Sequence, residues 1–284
     1  MNTVNVDLGA VQTTLLIPLL GRAEETQKRR GLLHDPKAVE IVDALDYDFG
    51  KWKGTRSLLG ASLRTSMFDE DVREFLDAHP DGTVVEIGCG LNTRFDRVDN
   101  GRVRWFDLDL PDSIALRRRF FEDRPRCTML ASSVLDDDWM DEVAQSSGPV
   151  CFVSEAVLIY LEQSQVREAI STIAARFAGA WILTDTTPRQ MVDNQGTHDA
   201  MRHLSSESWF RWACDEPATI AEWAESLSLV HSRSFLDAPD HLRRRLPLPL
   251  RLFLRFAPAA MTRKLSGYRL NRFEVAGEPG LRRR

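Results

Sequence analysis

The feature that most constrains this chain is an alternation between Thr83 and Thr184, where short runs rich in β-branched residues are each followed by a helical or turn-rich segment. Thr83 to Ile87, Val103 to Phe106, Cys127 to Leu130, Val150 to Ser154 and Ala180 to Thr184 read as strands, with helical periodicity over Ser113 to Phe121 and Gln163 to Phe177. Strands joined through helices build βαβ crossovers and a mostly parallel sheet, and such sheets take ligands outside the carboxyl ends of their strands. Functional residues are therefore expected just after each strand. Two later runs, Leu229 to Leu236 and Tyr268 to Val275, bring the expected sheet to about seven strands, with a helix over Pro217 to Leu227.

Before Thr83 the texture is helical. Leu8, Val11, Leu15, Leu16, Leu19 and Leu20 fall at helical spacing, and Asp35-Pro36 supplies a cap and a first-turn proline for a helix over Lys37 to Leu45. Another helix is expected over Asp69 to His79, stopped by Pro80-Asp81-Gly82. The expected organisation is a helical N-terminal lid over residues 1–80 and a Rossmann-like α/β catalytic domain over 81–284, with insertions at about 186–215 and 240–265. The first insertion is polar and too long for an ordinary connection.

Composition excludes several classes. With 43% hydrophobic and 28% charged residues the chain has enough apolar surface for a core and is not a disordered or fibrous sequence. Cys89, Cys127, Cys151 and Cys214 lie far apart without metal-ligand spacing, so neither a zinc site nor a disulfide framework is expected. The apolar run Leu15 to Leu20 is broken by Pro18 and too short for a bilayer span or a secretory leader, which points to a cytoplasmic protein with no transmembrane segment. The net charge of -5 conceals segregation, since residues 232–284 carry thirteen Lys/Arg against four Asp/Glu, +9 there and -14 elsewhere. Within that region, Arg243 to Lys264 mixes Leu, Phe and Arg, a pattern that suits either an anionic membrane surface or a cover over the sheet edge or active site. No reading motif accompanies the basic residues, so nucleic acid is not an expected partner.

The chemistry concentrates at the first two strand ends. Glu86-Ile87-Gly88-Cys89-Gly90 places glycines where a ligand must approach the backbone, and Asp109 follows Gly88 by twenty-one residues, the spacing at which nucleotide folds set a carboxylate on ribose hydroxyls. A tight turn without ligand, and a solvated helix cap at Asp107 or Asp109, are the structural alternatives. Thr93 stands where a dinucleotide fingerprint wants glycine, and the acidic Glu86 suits a cationic ligand better than a phosphate. S-adenosylmethionine, with adenosine, an ammonium and a sulfonium but no phosphate, is preferred to NAD.

The runs Val84 to Arg94 and Trp105 to Pro111, Leu116-Arg117-Arg118-Arg119, Ser154 to Leu161, Gly31 to Pro36 and the Arg-Thr-x-x-Phe-Asp-Glu stretch Arg64 to Glu70 resemble the leucine carboxyl methyltransferase family. The likeness is nearest to its tetracenomycin-type polyketide O-methyltransferases and covers roughly Thr13 to Leu236 and Tyr268 to Phe273. It implies a class I methyltransferase with S-adenosyl-L-methionine as cofactor. Carried onto this chain, it implies that Arg64, with Arg30 as a second contact, pairs with the cofactor's carboxylate. Gly88 and Gly90 would underlie its methionine moiety, Asp109 with Leu110 would hold the ribose, Ser133 and Val134 would flank adenine, and Glu155 with Ala156 would face the amino end. The family often has Asp where Ser133 stands and Gly where Ala156 stands.

Methyl transfer from a sulfonium is an in-line displacement that asks the protein for positioning and exclusion of water. A carboxylic acid is already ionised at neutral pH, whereas a phenol gains from a base. Weak base candidates are His198, His203 and Tyr160, and Arg202 or Arg189 are candidate carboxylate clamps. Trp209, Phe210 and Trp212 are candidate aromatic walls, while Trp181 and Trp223 read as core. The expected function is O-methylation of a carboxylate on a small aromatic or polyketide-like metabolite. Phenolic O-methylation, a non-catalytic cofactor- or partner-binding relative and a nicotinamide oxidoreductase are the alternatives.

Overall fold

The computed structural model describes residues 4–256 and 266–277. A small parallel pair, β1 (Val4–Asn5) and β2 (Leu45–Asp46), lies apart from the main sheet. That sheet comprises β3 (Thr83–Ile87), β4 (Arg104–Asp109), β5 (Cys127–Ala131), β6 (Val150–Ser154), β7 (Trp181–Thr186), β8 (Leu227–Arg233) and β9 (Arg269–Val275), in the order β5-β4-β3-β6-β7-β9-β8. The first five are parallel to one another, and β9 runs antiparallel to both β7 and β8. From β3 the chain steps outward through β4 and β5, then returns to β3's other side for β6 and β7. The resulting switch point, at the carboxyl ends of β3 and β6, is where open α/β sheets form their binding crevice.

Every residue of β3, β6 and β7 is buried, as expected for parallel strands covered on both faces. Alternate residues feed two cores. Val85, Phe106, Phe152 and Ile182 pack with Val166, Ile170 and Ile173 of α7 (Gln163–Arg176), while Val84, Trp105, Val153 and Leu183 pack with Phe68, Val72 and Phe75 of α3 (Arg56–Ala78). A third cluster joins α1 (Leu16–Thr26) and α2 (Pro36–Ala44), through Leu16, Leu19, Leu20 and Ile41, to Trp52 and to Ala200 and Met201 of the first insertion.

Several boundaries differ from the sequence expectation. Helix α3 begins thirteen residues before Asp69, because Ser62, Thr65 and Ser66 are buried along with Leu58 and Leu63, and a helix buried on several sides has no single apolar stripe to read. The opening apolar residues are split between a 3-10 turn at Gln12–Leu15 and α1, with Pro18 tolerated in α1's first turn. Remaining short helices are α4 (Arg94–Val98), α5 (Pro111–Arg117), α6 (Asp138–Ala144), which the sequence reading lacked, and α8 (Arg189–Asp193). Pro217–Trp223 forms 3-10 turns rather than an α-helix, and β8 is irregular between Leu229 and His231 and ends before Phe235. The basic stretch supplies α9 (Asp240–Arg243) and α10 (Leu248–Phe256), and its residues 257–264 lie outside the described residues. Among the described residues, no helix is long and apolar enough to cross a membrane.

Candidate functional site

A cavity of about 490 Å3 opens at the switch point between the strand ends and the α1 cover. The loop after β3 needs backbone that only glycine adopts freely, with Gly88 at φ +65° and Gly90 at φ +46°. A Cβ on Gly88 would stand 2.3 Å from Val157 Cγ2, so this glycine also permits close packing of the β3 and β6 loops. At the end of β4, Asp109 accepts the Gly90 N–H and the Leu110 N–H, each at 2.7 Å, one on each carboxylate oxygen. Burial raises its pKa, opposed by those two N–H donors. Gly88, Gly90, Asp109, Leu110, Ser133 and Val134 all line the cavity. Leu110 is exposed, and Ser133 spends its hydroxyl accepting the Leu135 N–H at 3.1 Å.

Behind the loop lies a buried ionic network. Glu155, just after β6, accepts Arg64 Nε at 2.9 Å and the Thr65 hydroxyl at 2.7 Å on one oxygen, and the Arg94 guanidinium on the other. Burial alone would raise its pKa, but Arg64 and Arg94 hold it below the usual carboxylate range. Arg94 is fully buried and also bonds Asp69, at 2.9 Å, and Glu86. Glu86 accepts from Arg94 and from Asn92 Nδ2 through Oε1, while its Oε2 is buried without a partner. Burial, only partly offset by Arg94, pushes this carboxyl up to about 7.

Arg64 has further anchors. Its NH1 donates to the Tyr268 hydroxyl at 3.2 Å, and the Tyr268 hydroxyl donates to Asp185, which in turn accepts the Ala156 N–H at 3.0 and 2.9 Å. Ala156 takes φ +55°, the conformation that explains a preference for glycine there. The sequence reading missed Arg94, Arg22, Asp185 and Tyr268. Asp185 had a signal, since it stands at the carboxyl end of a strand. Arg22 lay within a helix read only for its apolar spacing, yet it is buried, bonding Asp35 at 2.8 Å and the Leu91 carbonyl at 2.7 Å.

Other expectations are corrected. Arg30 is exposed and lies in a separate concavity beyond the end of α1, away from the cavity. His203 is exposed and contacts Arg202 at 3.2 Å, Arg189 lies 3.9 Å from Asp193, and none of the three lines the cavity. Trp212 is buried in the sheet core beside Trp223, and Trp209 packs over Gly196. The opposite end of the cavity is instead formed by Ile17, Ile159, Tyr160, Met201 and Phe210, with His198 and Ser57 near the first insertion. His198 Nε2 is 3.3 Å from Ser57 Oγ, and its Nδ1 accepts the Met201 N–H at 3.5 Å. Burial lowers the His198 pKa, and burial pushes the Tyr160 phenol up to about 12.

Comparison with known proteins adds a sequence likeness. The model of the leucine carboxyl methyltransferase family matches residues 16–174. The chain is 28% identical over 236 residues to the tetracenomycin polyketide synthesis O-methyltransferase TcmP of Streptomyces glaucescens, covering 82% of this chain and 86% of that one. It is 26% identical over 238 residues to the S-adenosyl-L-methionine-dependent methyltransferase dpfgK of Gibberella zeae, covering 76% and 79%. The crystal structure of a DUF574 family protein from Streptomyces avermitilis superposes with a TM-score of 0.56 at 12% identity, covering 93% of this chain and 97% of that one.

Proposed function

The chain belongs to the leucine carboxyl methyltransferase family and is an S-adenosylmethionine-dependent methyltransferase of class I fold, and from that premise we propose that it methylates a carboxylate on a small aromatic or polyketide-like acceptor. The residues at the strand ends fit the cofactor. The unpartnered Glu86 Oε2 is a buried acceptor suited to the ammonium, because a buried polar oxygen left without a donor is costly. Each Asp109 oxygen holds one backbone N–H and keeps acceptor capacity for a ribose hydroxyl. Arg64 would take the methionine carboxylate, with Glu155 and Tyr268 fixing its guanidinium plane. Ser133 and Val134 would border adenine. When bound, the cofactor supplies an electrophilic methyl on a sulfonium.

The observation that carries the carboxylate reading is the state of His198. Ser57 directs its hydroxyl proton to Asp199, so its Oγ accepts from His198 Nε2–H, and the Nδ1 lone pair is turned to the Met201 N–H at 3.5 Å, which leaves the imidazole poorly placed to take an acceptor's proton. Tyr160, with a phenol near 12, stays neutral. A site so arranged suits an oxygen that is already ionised, and the protein's work is to hold it in line and keep water out. Tyr160 and Phe210, 5.4 Å apart edge to face, would form part of an apolar wall for the acceptor.

The test is the chemistry of the product. The protein is incubated with methyl-labelled S-adenosylmethionine and a panel of aromatic carboxylic acids and matched phenols, and the product is treated with mild alkali. Release of labelled methanol is expected, with His198→Ala retaining most of its turnover. An alkali-stable aryl ether, lost about a hundred- to ten-thousand-fold in His198→Ala, would establish the phenolic alternative.

A further inference from the structure

One surface is used by none of this chemistry. Beyond α1, Lys28, Arg29 and Arg30 are exposed, as are Arg243, Arg244 and Arg245 at the end of α9. The two segments meet where Arg245 NH1 donates to the Gly31 carbonyl at 3.0 Å, and they line one open concavity with His34 and His241. Lys28 is paired with Glu25 and Arg243 with Asp240, which also lines the concavity and attracts Arg244, whereas Arg29 and Arg30 have no carboxylate ion pair among the described residues. Cations gathered this way repel one another and hold a positive potential over that face.

The helix that follows is amphipathic in an unusual sense. Leu246 is buried and Leu250 packs against the sheet-face core, so this side of the segment is seated on the protein. Leu248, Leu252 and Phe256 are 61%, 48% and 72% exposed and, four residues apart, share the other side, with exposed Arg251 beside them. A row of large apolar side chains in water marks a contact surface. A nucleic acid would engage the arginines and leave the row wet. A bilayer interface satisfies both, since an interfacial helix buries its Leu/Phe face at the acyl boundary while its Arg side meets anionic headgroups.

We infer that residues 28–30, 243–245 and α10 form a peripheral docking surface for an anionic lipid bilayer, with Leu248, Leu252 and Phe256 entering the headgroup region and Arg29, Arg30, Arg244 and Arg251 facing lipid anions. The inference is independent of the acceptor's identity and of where the cofactor binds.

Co-sedimentation of the full chain with vesicles of phosphatidylcholine alone, or with about a third phosphatidylglycerol, tests it. Binding to the anionic vesicles only is expected, released at 1 M salt, where the screening length shrinks to about 3 Å. Each arginine removed should cost about five-fold in partitioning, so Arg29→Gln with Arg244→Gln should lose roughly twenty-five-fold. Leu252→Gln should weaken binding to vesicles while S-adenosylhomocysteine affinity stays at the parent level, which shows that the variant is folded. Equal binding to neutral vesicles, no vesicle binding, or parent-like binding by these variants would overturn the inference. So would a parent dimer that Leu252→Gln turns into monomer, since the row would then be a self-association face.

Discussion

The two walls of the cavity are held by different forces. The sheet side is ionic, with Arg94 and Arg64 binding Asp69, Glu86 and Glu155 in a largely buried network that borders the cavity. The cover side is mainly a hydrocarbon cluster around Leu16, Leu20, Ile41, Trp52 and Met201, with a buried ion pair at its edge, Arg22 to Asp35 at 2.8 Å, and a few hydrogen bonds across the chain such as Trp52 Nε1 to the Ala200 carbonyl at 3.3 Å and Ser208 Oγ to the Ala10 carbonyl at 2.6 Å. Buried ion pairs need tight geometry and break at high cost, whereas apolar contacts are non-directional. The contrast assigns rigidity to the wall that would grip a charged cofactor and adaptability to the wall that would admit and enclose an acceptor.

The strongest way to break this contrast is Arg94→Ala. It strips one partner from each of three buried carboxylates, and removing one side of a buried pair costs about 3–5 kcal/mol. Denaturant unfolding should show a loss of that size with an unchanged m-value. A loss below about 1 kcal/mol would mean that the carboxylates find other donors and that the sheet wall is no more rigid than the cover.

The same contrast explains what the sequence made legible. Parallel strands announce themselves through β-branched runs and glycine exits, so β3, β6 and the positions of Gly88, Gly90 and Asp109 were readable from local pattern. Arg94 was not, because an arginine opening a short helix reads as solvated until three distant carboxylates, at positions 69, 86 and 155, are seen to converge on it. The cover was legible only as helix and polar insertion, since the contact of Trp52 with Ala200 depends on a tertiary fold that no periodicity encodes. Arg30 was misplaced for a related reason. Helix α1 ends at Thr26, before Arg30, and the buried arginine of that helix is Arg22.

A smaller effect sharpens the ionic side. Burial places the Glu86 carboxyl at about 7, above its unfolded value, so the native state holds this proton more tightly than the unfolded chain. Its contribution to stability is therefore greatest at acid pH and is withdrawn as pH rises from the ordinary carboxylate range to about 7. If the ionised carboxylate receives the cofactor's ammonium, binding must move in the opposite sense. S-adenosylhomocysteine affinity, measured by calorimetry, should be roughly ten-fold weaker at pH 6 than at pH 8, and Glu86→Gln should flatten that dependence. A parent profile already flat across this range would remove Glu86 from the ammonium site.

The smallest expected effect tests the cover. Helix α3 has no side-chain cap from its own Thr55, and Asp199 of the insertion takes that role, accepting the Arg56 N–H at 2.7 Å, the Ser57 N–H at 3.4 Å and the Ser57 hydroxyl. A carboxylate there satisfies otherwise orphaned donors and meets the positive end of the helix dipole, worth about 1 kcal/mol. Burial alone would raise the Asp199 pKa, but the Ser57 hydroxyl and the backbone donors bring it below the ordinary value, so the contact persists through neutral pH and is lost only on acidification. Asp199→Ala should therefore cost about 1 kcal/mol. Amide exchange should accelerate over residues 195–204 and at the start of α3, while β3 and β6 keep parent protection. Because the released contact belongs to the adaptable wall, cofactor affinity should stay within about two-fold of the parent. Exchange that accelerates equally in β3 and β6 would show that the cover and the sheet open as one cooperative unit, and the division between a rigid and an adaptable wall would fail.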